Sequence, residues 1–259
     1  AIERTQAKAC PTSAGYDVGS GADRGRHPGR DVADSLAFAK AIGRTACRVN
    51  GVIDHQIAGV DVSRETWDRL LAFEDMVRHW NPAINLVSRS SLVDLWSRHI
   101  HDSAQLFQFC PSTAHSWVDV GSGGGFPGIV VSILAKERLP DLRVTLVESD
   151  LRKATFLRQA VRTLQLSADV QSQRIEVLPS LQADVLSARA LAPLADLLAI
   201  AEQHMKPAGI AIFPKGERHA EEIAAARQAW DADIETHPSQ SQPDAAILII
   251  KRFERAQKP

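Results

Sequence analysis

The sequence predicts an α/β fold in which a seven-stranded, mostly parallel sheet follows an N-terminal helical element. Three observations carry that prediction. From Ser116 onward, short apolar runs alternate with helical stretches, the rhythm of parallel strands joined by crossover helices. The run WVDVGSGGGFPG at 117–128 sets glycines between an apolar strand and an apolar helix. The chain then ends on two strands joined by the turn-rich stretch HPSQSQPD, which reads as a hairpin placing an antiparallel strand at one sheet edge.

Three regions follow in order. Residues 1–50 read as an extension, disordered over the Gly-, Arg- and Ala-rich first thirty and loosely helical over 31–47. Within it YDVGSGADRG at 16–25 imitates a glycine motif, but no apolar strand precedes it and no apolar helix follows, so it is set aside as a decoy. Residues 51–110 form the helical element. Ser63 caps a helix in which Leu70, Leu71, Phe73, Val77 and Trp80 recur at helical intervals, and Asn81-Pro82 ends it. A second helix is expected over 89–109, with Leu92, Leu95, Trp96, Ile100 and Phe107 as its apolar stripe. Residues 111–259 form the main domain. Its strands are expected at 117–120, 143–147, 168–172, 184–188 and 209–213, then a helix at 217–229 and the hairpin of 233–237 with AAILIIKRF at 245–253.

Composition narrows the function. A chain of 259 residues with 44% apolar content can bury a sizeable core. A net charge of −1 gives no global basic field for nucleic acid, which leaves only a local patch for such a partner. No apolar run approaches the ~18 residues that span a bilayer, and residues 1–30 lack the apolar core of a secretory signal. Cys10, Cys47 and Cys110 are odd in number and far apart, which argues against a disulfide framework and against zinc. The expectation is a cytoplasmic monomer without metal and without membrane attachment.

The glycine run raises the question of its ligand. Gly123, Gly125 and Gly128 satisfy the dinucleotide pattern GxGxxG, while Asp119, Gly121 and Gly123 satisfy DxGxG. Asp119 ends the first strand, where it is expected to face the ligand crevice. An acid there suits a cationic or amino-acid-bearing ligand and would repel a pyrophosphate. Glu148, twenty residues past Gly128 at the end of the next strand, is placed to accept the hydroxyls of an adenosine ribose. That ribose is common to NAD and S-adenosylmethionine, so Glu148 alone does not choose. Asp119 and the terminal hairpin favour S-adenosylmethionine and a class I, Rossmann-like methyltransferase. A dinucleotide, and a glycine turn that merely packs strand on helix, remain the alternatives; a P-loop is excluded because no Lys-Ser or Lys-Thr closes the glycines.

The acceptor is read by elimination. The chain has no Asn-Pro-Pro-Tyr loop to hold an exocyclic amine, and no Pro-Cys pair at the fourth strand to supply a thiolate. DVLSARALAPL instead places Arg189 at the end of that strand, where it could pair with a carboxylate, a phosphate or a guanine edge. No general base is evident. A ring nitrogen such as guanine N7 needs none, because it carries a lone pair and no proton, so the chemistry would rest on alignment.

The stretches HWNPAINLVS at 79–88, RHIHDS at 98–103, DVGSGGGFPG at 119–128, LVES at 146–149, KATFLR at 153–158, SARALAPL at 187–194 and FPKG at 213–216 together resemble the RsmG (GidB) family. Its members are bacterial 16S rRNA guanine-N7 methyltransferases. The resemblance covers about four-fifths of the chain, from Val52 to Phe253. It implies methyl transfer from S-adenosylmethionine to a guanine in the decoding-region loop of 16S rRNA in the small ribosomal subunit. By matched position Gly121 and Phe126 would touch the cofactor, Ile175 and Glu176 would hold its adenine end, and Arg189 would lie near the donor. QRIE stands where the family usually has a small residue before the Glu, so the Ile175 contact would be through its backbone. Arg98, His99 and Lys215 are the candidates for RNA, with Arg189 and Lys215 positioning the substrate. Arg152, Lys153, Arg158 and Arg162 repeat along one helix and could meet phosphates or form a solvated face. His99 and His101, two apart on a helix, cannot chelate one metal. A methyltransferase for another RNA or a small molecule would share every cofactor residue, and a non-enzymatic binding module is the third reading.

Overall fold

The computed structural model describes residues 48–49, 52–53 and 55–256. The expectations for residues 1–47, including the decoy motif and the loose helix, lie outside the described residues. Short strands come first among the described residues: β1 (Arg48–Val49) pairs with β2 (Val52–Ile53), and β3 (Gln56–Ile57) with β4 (Val60–Asp61). The helical element therefore begins with hairpins, which two-residue strands do not announce in a sequence.

Helix α1 spans Arg64–Ile84. Ser63 caps it, its side chain accepting from Thr66 N at 3.2 Å, and the Ser63 N–H and hydroxyl both donate to Glu137. The expected stop at Asn81-Pro82 is corrected. Pro82 sits inside the last turn, and the helix closes at Asn85, whose left-handed backbone (φ 49°, ψ 63°) lets its N–H return to Asn81 O. Asn81 is buried, and its side-chain oxygen accepts from Val87 N at 2.8 Å, folding the exit loop back onto the helix.

The helix expected over 89–109 is also corrected. Residues 89–94 are turns, followed by a π-helix at Trp96–His101 and then α2 (Asp102–Phe107). Serine hydroxyls compete with the helical ladder: Ser88 Oγ accepts from Ser91 N, and Ser91 Oγ donates to Ser88 O. Arg78 fastens these turns to α1 by donating to Leu92 O at 2.6 Å while pairing with Glu74.

The main domain contains β5 (Ser116–Val120), α3 (Gly128–Arg138), β6 (Arg143–Val147), α4 (Leu151–Thr163), β7 (Ala168–Gln171), β8 (Ala183–Ala188), α5 (Leu194–His204), β9 (Met205–Lys215), α6 (His219–Ala226), β10 (Trp230–Pro238) and β11 (Ala246–Arg255). The seven strands are ordered β10-β11-β9-β8-β5-β6-β7, parallel from β7 to β9, with β11 antiparallel to both β9 and β10. The fold class and terminal hairpin are as the sequence predicts; β9 is longer because it starts at Met205, and the helix expected over 217–229 shortens to α6.

Alternate residues of the strands feed two cores. Trp117, Val144, Leu146, Val185 and Ile212 pack under α1 to α4, and Val118, Val120, Leu186, Ala211 and Phe213 under α5 and α6. Phe73, Val77, Leu95 and Ile100 belong to the first core, so the helical element shares it. Chain order reverses between β5 and β8, which opens a crevice at their carboxyl ends. Among the described residues no helix is long and apolar enough to cross a membrane.

Candidate donor crevice and acceptor cavity

The glycine loop leaves β5 at Gly121, whose φ of 67° is left-handed. A Cβ there would lie 2.8 Å from Leu191 Cδ1, a movable side-chain end, so the left-handed backbone rather than the space is what favours glycine. The N–H groups of Gly121 and Ser122 both donate to Val147 O, fixing the loop against the end of β6.

Asp119 does not face the crevice. It is fully buried: Oδ1 accepts from Ser187 Oγ at 2.7 Å and Oδ2 from Gly128 N at 3.1 Å, while Ser187 Oγ accepts from Trp117 Nε1. Burial pushes its carboxyl up to about 6, against the hydrogen bonds from Ser187, Ser122 and Gly128 and the charge of Arg189. The expectation of direct ligand contact is therefore corrected. Side chains alternate along a strand, and position 119 turns toward α3, where it fastens the first turn of that helix.

Glu148 is at the crevice, 8% exposed, with Oε2 accepting from Gly123 N at 2.8 Å and Oε1 from Asp150 N at 2.7 Å. Each oxygen keeps a second lone pair, so the backbone aims the carboxylate without exhausting it. Ile175 and Glu176 open a single 3₁₀ turn after β7, Ile175 buried and Glu176 exposed. Leu151, the first residue of α4, and Val177, in the 3₁₀ turn after β7, are 68% and 69% exposed.

Arg189 gathers the other side. One guanidinium nitrogen donates to His99 Nδ1 at 2.7 Å, and another lies 3.7 Å from Asp102 Oδ2 and 3.4 Å from Arg98 O. Its carbon stands 5.3 Å from the centroid of the Phe126 ring, which also meets His99 at 5.0 Å and Phe73 at 5.2 Å. Burial, then the charges of Arg189 and Arg98, lower His99 to about 3, so its ring stays neutral. Arginine cannot accept a hydrogen bond, which places the ring proton on Nε2, a buried atom with no hydrogen-bond partner among the described residues. The Arg98 side chain is exposed.

Lys215 is not free for RNA. It is 8% exposed, and its Nζ donates to Ala192 O at 2.8 Å and to Glu222 Oε2 at 2.7 Å, where Glu222 also accepts from Leu194 N. The aliphatic stem carries the charge into a ring of acceptors that pins the loop after β8. Of the basic residues on α4, Arg152 pairs with Asp150, Arg158 donates to Ser172 Oγ, and Arg162 to Gln159.

Beyond Leu191 and Arg189 opens a cavity of about 640 Å³. The loop after β8, the end of β9, α6 and the β10–β11 turn border this solvent-open hollow, with Asp102, Glu221 and Gln242 among its polar walls. Leu191, Ser187 and the serines of the β10–β11 turn escaped sequence reasoning: Ser187 is one hydroxyl within an apolar strand, and single residues in loops carry no periodicity. The turn-rich HPSQSQPD marked the place but not the role. Among the described residues no group of three or more His, Cys, Asp or Glu could hold a metal ion.

Comparison with known proteins is consistent with this geometry. A family model described as rRNA small subunit methyltransferase G matches residues 67–244. The Cereibacter sphaeroides (strain ATCC 17029) protein named ribosomal RNA small subunit methyltransferase G is 55% identical over 195 residues, covering 75% of this chain and 95% of its own. That of Ruegeria sp. (strain TM1040) is 52% identical over 196 residues, covering 76% and 95%. Among solved structures, the O-methyltransferase from Bacillus cereus in complex with SAH shares the fold, with a TM-score of 0.50 and 14% identity over 74% of this chain and 92% of that one. The chain belongs to the rRNA small subunit methyltransferase G family.

Proposed function

We propose that this chain, as a member of that family, transfers a methyl group from S-adenosylmethionine to N7 of a guanine in the decoding-region loop of 16S rRNA. It would act on the small ribosomal subunit as a cytoplasmic monomer. The observation that carries the reading is the meeting of two spaces at Arg189 and Leu191, a glycine-walled crevice and a cavity large enough for a purine nucleotide.

When bound, S-adenosylmethionine supplies an electrophilic methyl on a sulfonium. Glu148 would accept its ribose hydroxyls through the lone pairs left free by Gly123 and Asp150. The loop at Gly121 and Phe126 would take its body, and the turn at Ile175 and Glu176 its adenine end, with the Ile175 backbone as the contact. Asp119 would act at one remove, holding the loop rather than touching the ligand. Lys215 would likewise act on the acceptor wall rather than on RNA. Arg189 would position the acceptor at the border of the two spaces, with the exposed Arg98 the candidate to meet RNA and His99 acting through its bond to Arg189.

No group here needs to remove a proton. Guanine N7 offers a lone pair, and the neutral His99 and charged Arg189 stabilise a geometry rather than a charge transfer. The test is transfer of labelled methyl to small subunits from cells lacking the modification, followed by cleavage at N7-methylguanine. A single labelled guanine in the decoding-region loop is expected. Donor binding without transfer to the subunit would move the substrate elsewhere, and thermal stabilisation by NAD instead of S-adenosylmethionine would overturn the donor.

A further inference from the structure

The β10–β11 turn reaches back across the molecule to the helical element. Ser241 Oγ donates to Asp102 Oδ1 at 2.6 Å, and Ser239 Oγ at 3.4 Å. Gln105 Nε2 donates to the same oxygen at 3.3 Å, and Gln240 N donates to Gln105 Oε1 at 2.6 Å. Roughly 137 residues of chain separate the partners, so this is a built tertiary contact rather than a local turn. The other oxygen of Asp102 faces Arg189.

We propose that Asp102 is a positioning residue for Arg189, and that the β10–β11 turn, acting through Ser241, sets where that guanidinium stands between donor crevice and acceptor cavity. The argument rests on what the carboxylate is needed for. Asp102 is 7% exposed, and a nearly buried charge is costly unless it is used. All three donors on Oδ1 would be served as well by an amide oxygen. Among the described residues that bond or pair with Asp102, Arg189, on the second oxygen, is the one that requires the negative charge. The guanidinium in turn fixes the His99 ring and lies over Phe126 of the glycine loop. Asp102, Arg189, Ser239 and Gln242 all line the acceptor cavity, so the turn that holds the arginine is also a wall against which the acceptor would rest. One chain of contacts thus joins the sheet edge, the cavity and the donor loop.

The inference deepens the proposed function and rests on it, and the test separates the two. Asp102→Asn keeps the docked turn and removes the charge; Ser241→Ala loosens the turn; Ser241→Thr keeps a hydroxyl. In methyl transfer to unmodified small subunits, Asp102→Asn should lower kcat about tenfold and Ser241→Ala about threefold, with KM for the subunit within about twofold. Ser241→Thr should recover most of the loss. The double variant Ser241→Ala with Arg189→Lys should lose less than the product of its single losses. Full kcat in Asp102→Asn, or losses that simply multiply, would overturn the proposal. ¹⁵N imidazole spectra, with the His99 signal assigned from His99→Gln, give a readout free of activity. Wild type should hold the Nε2–H tautomer and Asp102→Asn should mix the two; an unchanged His99 signal in Asp102→Asn sinks the positioning role. If wild type transfers no methyl to the subunit, the proposed function fails while the spectra still decide the inference.

Discussion

Gly128→Ala tests the joint between β5 and α3. The new Cβ would lie 2.7 Å from Asp119 Oδ2 and 3.0 Å from Asp119 Cβ, and it would overlap Leu146 Cδ2. Two of these atoms are side-chain ends, but burial and hydrogen bonds hold them in place. Asp119 sits on the central strand with both oxygens bonded, and Leu146 is fully buried on the next strand. Overpacking of this kind costs ~1–3 kcal/mol. Moving the carboxylate also weakens its bond from Gly128 N, a charge-assisted contact contributing ~1.5–3 kcal/mol. The two overlap, so a loss of about 3 kcal/mol is expected, which lowers Tm by roughly 10 °C in a domain of this size. Thermal unfolding followed by circular dichroism measures it. Gly216→Ala is the control, because a Cβ there meets nothing within 4 Å, and its Tm should stay within about 2 °C of wild type. Equal melting of Gly128→Ala and wild type would refute the tight joint and the anchoring role given to Asp119.

Three further outcomes are expected. The Asp119 carboxyl is held at about 6 by burial, above its ordinary 3.8, so between those values the folded state binds more protons than the unfolded one. Wild type should therefore lose roughly 3 kcal/mol relative to Asp119→Asn as pH rises from about 4 to 6, and no more beyond, read from urea midpoints; a flat difference removes the burial argument. Glu148→Gln turns an amide N–H toward one of the two backbone donors that now meet a carboxylate oxygen. S-adenosylmethionine should bind at least about tenfold more weakly by calorimetry, and unchanged affinity refutes the ribose assignment. Lys215→Met keeps the apolar stem but strands Ala192 O and part of Glu222. Stability in urea should fall by about 2 kcal/mol with slower methyl transfer; if neither moves, Lys215 does not pin the loop.

What the sequence made legible was what periodicity and glycine encode. The central strands β5 and β8 are buried on both faces and so read as plain apolar runs, while the edge strand β7 is half-exposed and was placed by the βα rhythm; β5 to β8 fall within a residue or two of expectation. The glycine loop announced itself because Gly121, Gly123 and Gly125 take left-handed backbone and Gly125 and Gly128 lie too close to packed side chains for a Cβ. Helix limits were harder. Pro82 is tolerated because it falls in the last turn, and the serines at 88–91 dissolve a helix that the apolar spacing still suggests. The direction of a polar side chain was not legible at all. Asp119 and Lys215 sit at the ends of β5 and β9 as expected, yet Asp119 turns to Gly128 and Lys215 to Ala192. The choice depends on partners 9 and 23 residues away, which only the folded chain brings together.

The ring of Phe126 bears on what can be cut away from this molecule. It is clasped by Phe73 from α1 and His99 from the π-helix, and a Cβ on the neighbouring Gly125 would stand 3.0 Å from Phe73. The donor loop thus has no inner surface of its own; it rests on one lent by the helical element. A fragment trimmed to begin at β5 would keep every glycine of the loop and lose what gives the loop its shape. Drawing a border between a catalytic module and an N-terminal appendage divides the protein where it has no seam, and a graft of this loop onto another sheet would have to carry α1 and the π-helix with it.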